Sequence, residues 1–272
     1  MTLSDQSAER RDLIHWRITA LAAAAEAATF IAERAKTRLA VEWHEKSATD
    51  FVSDVDIGAE ERINHVLSKH IPELRLVGEE LGPTGDTSTG LVAIVDPLDG
   101  TTNFLHGYPA YCVSICIALD GVPLVGVVHD VARGGVYCAT AGGGAFVDDE
   151  PLRVSAIHTP ARALVGTGFP FKSLLDADQF LTQLRTLMPL VAGVRRAGAA
   201  ALDLCDVARG RLDAFWELTL APWDIAAGLL IVREAGGRAT TLRGTDAPLQ
   251  HGPVVASNTV LHDWMLEQLA RP

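Results

Sequence analysis

The stretch Ile94-Val95-Asp96-Pro97-Leu98-Asp99-Gly100-Thr101-Thr102-Asn103-Phe104 constrains this chain more than any other. Leu91 to Val95 is a short apolar run, read as a buried strand that Asp96-Pro97 breaks. Two carboxylates, Asp96 and Asp99, then stand three residues apart at the strand's end. Pro97 fixes one backbone angle, and Gly100 permits a turn that a residue with a Cβ resists. Thr101 and Thr102 follow with hydroxyls and open backbone N–H groups. Rigid carboxylates followed by such donors suit a hard cation held beside an anion, and the anion that fits is phosphate. The other use of D-x-x-D-G is an Asx-turn, in which both aspartates satisfy only local backbone groups.

A chain of 272 residues can bury a large core, as one domain or as two halves. Its net charge of −11 argues against a groove that binds nucleic acid by neutralising phosphates. Acidic residues gathered around divalent cations would give that charge, and so would ordinary solubility. Cys112, Cys116, Cys138 and Cys205 lack metal-finger spacing and read as small core residues, as expected in a reducing compartment. No signal-like apolar segment opens the chain and no charge-free apolar run reaches about 18 residues, so a soluble cytoplasmic protein is expected.

Along the chain, residues 1 to about 10 are polar and expected to fray. Leu13 to about Ala40 reads as one long amphipathic helix, with Leu13, Ile14, Ile18, Leu21, Ala25 and Ala28 at helical spacing. A helix from about Asp56 to His70 follows a short extended piece at Phe51-Val52 and stops before Pro72, and Asp56 could serve simply as its cap. Leu74 to Val77 reads as a strand ending in Gly78-Glu79-Glu80, and residues 82–90 as a flexible polar loop. Asp120-Gly121 between β-rich runs is a hairpin signal, and further strands are expected to Ser155, which implies an antiparallel sheet in the first half. The second half alternates. Strands are expected near 163–167 and 191–195, with helices from 176 to 187 and after Arg196. Leu212 to Trp216 is read as a strand ending at Glu217, and a helix from Pro222 to Ala235 follows. The expected division is 1–155 and 156–272 within one compact unit.

With these motifs in place the chain resembles the inositol monophosphatase family, over most of its length and in the right order. Gly78-Glu79-Glu80, Asp96 through Phe104, Gly198-Ala199-Ala200, Glu217 and Trp223-Asp224 carry the resemblance, and Lys46, Asp50 and Asp56 match a Lys-Ser…Asp…Asp pattern. The resemblance implies a layered αβαβα sandwich, α+β in its first half and α/β in its second. It implies Mg²⁺ held by Glu79, Asp96 and the Leu98 carbonyl, and a second held by Asp96, Asp99 and Asp224. A weaker third would be reached from Glu79 through water. Glu79 and Thr101 would orient the attacking water, with Gly100 and Thr101 cradling phosphate. Gly198, Ala200 and Glu217 would meet the alcohol, with Lys46, Asp56 and Glu80 in support. Homodimerisation and lithium inhibition are carried by the same resemblance.

The chemistry also stands on the residues alone. Several carboxylates in one cleft repel one another, and divalent cations remove that penalty. One metal would activate water and another would stabilise the leaving oxygen of an in-line displacement. The resemblance adds the expected activity, hydrolysis of a small polyol monophosphate, foremost inositol-1-phosphate. Histidinol phosphate is the alternative substrate, because a carboxylate at Glu217 suits an amine as well as hydroxyls. A regulatory protein that retains the fold is the alternative of another class, since some relatives partner the transcription machinery.

Overall fold

The computed structural model describes residues 3–41, 43–47, 50–85, 87, 89–171 and 174–271. The side chains of residues 3–10, 40, 43–47, 50, 51 and 174 fall outside it. The side chains of Lys46 and Asp50 therefore lie outside the described residues.

A first helix, α1 (Leu3–Ala35), precedes a small hairpin, β1 (Trp43–Ser47) and β2 (Asp50–Ser53), and then α2 (Asp54–His70). Next come β3 (Arg75–Gly78), β4 (Leu91–Asp99) and the short α3 (Thr101–His106). The strands β5 (Cys112–Leu119), β6 (Val122–Asp130), β7 (Val136–Thr140), β8 (Gly144–Val147) and β9 (Glu150–Pro151) follow in series. The second half runs β10 (Leu164–Thr167), α4 (Ala177–Leu187), β11 (Gly193–Arg195), α5 (Ala200–Ala208), β12 (Ala214–Leu220) and α6 (Pro222–Glu234). It closes with β13 (Arg238–Thr240), β14 (Gly252–Ser257) and α7 (His262–Leu269).

The strands β3 to β9 form one seven-stranded sheet in chain order, antiparallel throughout except for the parallel β3–β4 edge. A second, five-stranded sheet has the order β11-β10-β12-β14-β13 and is mixed. The alternation of side chains on each sheet sorts the core into three. On one face of the large sheet, Ala93, Val95, Ile115 and Val127 pack against α1 and α2. On its other face, Ile94, Cys116 and Val128 meet α5 and α6, which also cover Phe215, Val254 and Ala256 of the small sheet. Beyond that sheet, Val165, Trp216 and Val255 pack on Phe180 of α4 and Met265 of α7. The result is the expected αβαβα layering. All four cysteines are free and buried in it, and among the described residues no helix is long and apolar enough to cross a membrane.

Several boundaries differ from expectation. α1 begins at Leu3 rather than near Leu13 and ends at Ala35. Its buried stripe is Ala20, Ala23, Ala24, Ala27, Ala28 and Ile31, while Ile14 and Ile18 face outward. The methyl side chains let the helix lie close to the sheet, so small residues rather than large ones mark the core face. The segment after β3 is less free than expected, because Pro83 bridges to Val77 and the Leu76 N–H donates to Thr84 Oγ1 at 2.8 Å. Two strands run past their expected ends: β4 continues through Pro97 to Asp99, and β12 carries Glu217 inside it.

Candidate active site

Asp96 and Asp99 differ by an odd number of residues, so a regular strand would point them to opposite faces. The pairing of β4 with β5 prevents this. Asp96 lies opposite Ser114 and Asp99 opposite Cys112, so three steps on β4 match two on β5. This bulge absorbs one residue, turns both carboxylates to the side of α5 and α6, and spares Pro97 a ladder bond that it cannot donate. On that side Asp99 Oδ2 accepts the Ala201 N–H at the start of α5 at 2.8 Å, and the Cys112 thiol at 3.7 Å. Ser114 Oγ donates to the Trp223 carbonyl at 3.3 Å, which ties β5 to the first turn of α6 beside Asp224.

Gly100 ends the strand in a left-handed conformation with φ of 93°, where a Cβ would lie 2.7 Å from the Ala110 carbonyl oxygen. The chain therefore turns at once into α3, and Thr101 opens it. The Thr101 hydroxyl lies 2.8 Å from Asp56 Oδ1 and 3.1 Å from the Leu98 carbonyl. Asp56 is both the expected cap and something more. Its Oδ2 accepts the Ser53 N–H at 2.8 Å and the Ser53 hydroxyl at 2.5 Å, closing a capping box on α2, while its Oδ1 reaches Thr101.

Glu79 follows β3, and its N–H donates to the Val95 carbonyl at 3.2 Å. The loop that carries it is held by Glu60, which the sequence reading missed. Glu60 is fully buried on α2 and accepts the N–H groups of Glu80 and Leu81 at 2.9 and 3.0 Å. Its carboxylate lies so close to Gly78 that a Cβ there would sit 1.8 Å from Oε1. The Glu80 backbone is thus part of the Glu60 anchor.

The second half supplies the far wall. Asp224, at the start of α6, accepts the Ala221 N–H at 2.7 Å. Ahead of α5, the segment Ala197-Gly198 is joined to α3 by Asn103, whose amide nitrogen lies 2.7, 2.9 and 3.2 Å from the carbonyls of Ala110, Ala197 and Gly198. Ala200 is buried as the first residue of α5. Glu217 sits at a second bulge, between the pairs Glu217–Val254 and Leu220–Gly252, and lies against Gly168 just past β10.

These acids act on one another. Burial raises the pKa of Asp96 well above the usual carboxylate range, and the negative charges of Glu79, Asp99 and Asp224 raise it further. Burial first and then Asp224 push Asp99 up to about 7 against the pull of the Ala201 N–H. Burial also raises Asp56, tempered by its Ser53 and Thr101 hydrogen bonds. Glu217 is raised by burial and then by Asp224, Asp203 and Asp99. Asp203, another residue the sequence reading passed over, is raised by burial and then by Asp99.

Oxygen donors of this kind suit a hard divalent cation. Asp96, Asp99 and Asp224 each give one oxygen to a backbone N–H, Asp96 to that of Leu98 at 3.0 Å. Among the described residues no three or more His, Cys, Asp or Glu are drawn together as a closed cluster. The donor set fits Mg²⁺ by chemistry and by mutual repulsion.

A family model described as "Inositol monophosphatase family" matches residues 12–271. The chain is 43% identical over 227 residues to a Rhizobium meliloti protein named inositol-1-monophosphatase, covering 84% of this chain and 85% of that one. It is 44% identical over 220 residues to a Pseudomonas aeruginosa protein named Nus factor SuhB, covering 79% and 81%. The crystal structure of the extragenic suppressor protein suhB from Bartonella henselae superposes with a TM-score of 0.89 at 36% identity, covering 93% of this chain and 97% of that one.

Proposed function

We propose, for a chain that belongs to the inositol monophosphatase family, that it is a Mg²⁺-dependent phosphatase of a small polyol monophosphate, foremost inositol-1-phosphate. The observation that carries this reading is the bulge at the end of β4, which turns Asp96 and Asp99 to the same side, where burial and then the charges of Glu79 and Asp224 raise the pKa of both. Glu79, Asp96, Asp99, Asp224 and the Leu98 carbonyl would hold the metal. When bound, Mg²⁺ would offset the repulsion, lower the pKa of water and stabilise the leaving oxygen.

The chain's own groups then have separate tasks. The N–H groups of Gly100 and Thr101 would donate to phosphate oxygens. Thr101, with its hydroxyl proton turned to Asp56, keeps lone pairs that can accept a hydrogen bond from the attacking water and so orient it. Glu79 would orient that water from the opposite side. Gly198, Ala200 and Glu217 would face the alcohol, and Glu80 and Asp56 would support the metal-binding loops.

Phosphate release should be measured with inositol-1-phosphate, histidinol phosphate and fructose-1,6-bisphosphate, with and without Mg²⁺, and with Asp99→Asn as control. Inositol-1-phosphate should dominate and require both Mg²⁺ and Asp99. Dominance of histidinol phosphate would replace the substrate, and no turnover of any ester would overturn the enzyme reading. The relative named Nus factor SuhB favours a second role, binding to transcription proteins. Asp99→Asn should retain such binding while losing turnover.

A further inference from the structure

Asn103, on α3, places its amide nitrogen among three backbone carbonyls, those of Ala110 at 2.7 Å, Ala197 at 2.9 Å and Gly198 at 3.2 Å. Three acceptors around one atom require the nitrogen there, because the amide oxygen would meet them with no proton to share. Ala110 lies on the segment between α3 and β5, whereas Ala197 and Gly198 come from the other half of the chain, 94 and 95 residues away. One side chain thus ties the turn after β4 to the backbone that leads into α5.

The base of this tie is rigid. The Asn103 carbonyl accepts the Tyr108 N–H at 2.8 Å, and Gly107 closes α3 at a φ of 71°. The neighbouring Phe104 is fully buried, its ring edge-on to Tyr111 with centroids 5.5 Å apart. The far end leaves no slack. Gly198 is left-handed, with φ of 86°, and a Cβ on it would lie 3.3 Å from Asn103 Nδ2. The Gly100 turn has holds of its own besides Asn103. The Phe104 N–H donates to the Gly100 carbonyl at 3.0 Å, and the Thr101 hydroxyl meets Asp56 and the Leu98 carbonyl. Loss of the amide should therefore fall on the Ala197-Gly198 wall more than on the turn.

We propose that Asn103 is a positioning residue that fixes the Ala197-Gly198 backbone against α3 and so sets where the alcohol lies relative to the phosphate. This rests on the phosphatase reading above and deepens it. The amide acts through the segment whose Gly198 and Ala200 would face the alcohol, and an ester without a hydroxylated leaving group has no use for that wall.

Asn103→Asp keeps the shape but replaces the donors with oxygen, and Asn103→Leu leaves the three carbonyls unpaired. Both, with Gly198→Ala and the Asn103→Leu/Gly198→Ala double variant, should be compared with the wild type in kinetics on inositol-1-phosphate and p-nitrophenyl phosphate. Calorimetry should measure binding of inorganic phosphate and of the methylene phosphonate analogue of inositol-1-phosphate, which has no ester bond to cleave. Either Asn103 variant should raise the KM for inositol-1-phosphate and weaken the phosphonate by about 10-fold or more, with kcat changed less. The KM for p-nitrophenyl phosphate and the affinity for inorganic phosphate should stay within about threefold. The double variant should lose no more than about threefold beyond the worse single variant, because both changes disturb one contact. Equal losses on both esters, as general destabilisation gives, an unchanged KM, or multiplied losses in the double variant would overturn the assignment. If thermal unfolding shows that neither Asn103 variant folds, Gly198→Ala decides by showing or lacking the same KM split. A wild type that binds the phosphonate but hydrolyses no ester sinks the phosphatase reading, and the binding comparison still decides the role of Asn103. A wild type that does neither overturns both.

Discussion

The Thr101 hydroxyl meets Asp56 Oδ1 at 2.8 Å, across 45 residues of chain. Asp56 thereby links the cap of α2 to the first residue of α3. Its two oxygens serve three donors, Ser53 N–H, Ser53 Oγ–H and Thr101 Oγ–H. Asn has one acceptor oxygen and cannot satisfy both sides. Asp56→Asn should cost about 1 kcal/mol in urea unfolding through the weakened cap. It should lower phosphate release at least about tenfold through misplaced Thr101. Unchanged activity with lowered stability would confine Asp56 to capping.

Gly78→Ala places a methyl group against the Glu60 carboxylate. Glu60 must then retreat and release the Glu80 and Leu81 N–H groups. A loss of about 1–3 kcal/mol is expected, together with loss of Mg²⁺-dependent stabilisation because Glu79 rides on the same turn. Glu60→Gln should lose stability but keep part of the anchor. Wild-type thermal unfolding of Gly78→Ala would contradict this account.

Millimolar Mg²⁺ should raise the melting temperature of the wild type, because a ligand bound only to the folded state stabilises it by mass action. Asp99→Asn should lose most of that rise. Removing one repelling carboxylate, it should also melt higher than the wild type in EDTA. Equal Mg²⁺ shifts in the two proteins would remove Asp99 from the proposed ligand set.

His262 is fully buried, with Nδ1 2.7 Å from Ser257 Oγ and Nε2 2.8 Å from Thr240 Oγ1. Burial, helped by Arg238, lowers its pKa from 6.5 to about 4. Between these values the unfolded chain binds the proton and the folded chain does not. The contribution is therefore complete above about pH 6.5 and is lost as pH falls toward 4, an effect on the order of 3 kcal/mol. His262→Gln removes the titration, so the stability gap between it and the wild type should shift by this order from pH 7 to 4.5 in urea titrations. Parallel pH profiles would sink the assignment.

Most elements were legible because periodicity and turn chemistry are local, whereas the αβαβα order was legible only through the resemblance that the motifs carry. Asp120-Gly121 is one case, with both residues at positive φ between β5 and β6. Glu79, Glu217 and Asp224 stood out only through the resemblance, while Asp96 and Asp99 were legible because they sit beside Gly and Pro at a strand end. Glu60 was not, since Glu60-Glu61 in a helix looks like a solvated face until a Gly78 backbone is laid against it. Asp203 was hidden in an Ala-rich helix for the same reason: its surroundings come from β10 and β12. The β4 bulge was illegible because it is a property of pairing with β5. The Asp96-Pro97 break was read as the end of a strand that in fact continues.

That bulge makes the site sensitive to the length of one short stretch and indifferent to its composition. Inserting a single codon between Asp96 and Asp99 would leave both aspartates in the gene, while the bulge against β5 would still absorb only one residue. One of them would then be delivered into the oily layer beneath α1 and α2. An insertion of two would be better tolerated than an insertion of one. For a lineage carrying this chain, the parity of the interval is as heritable a requirement as the acids themselves.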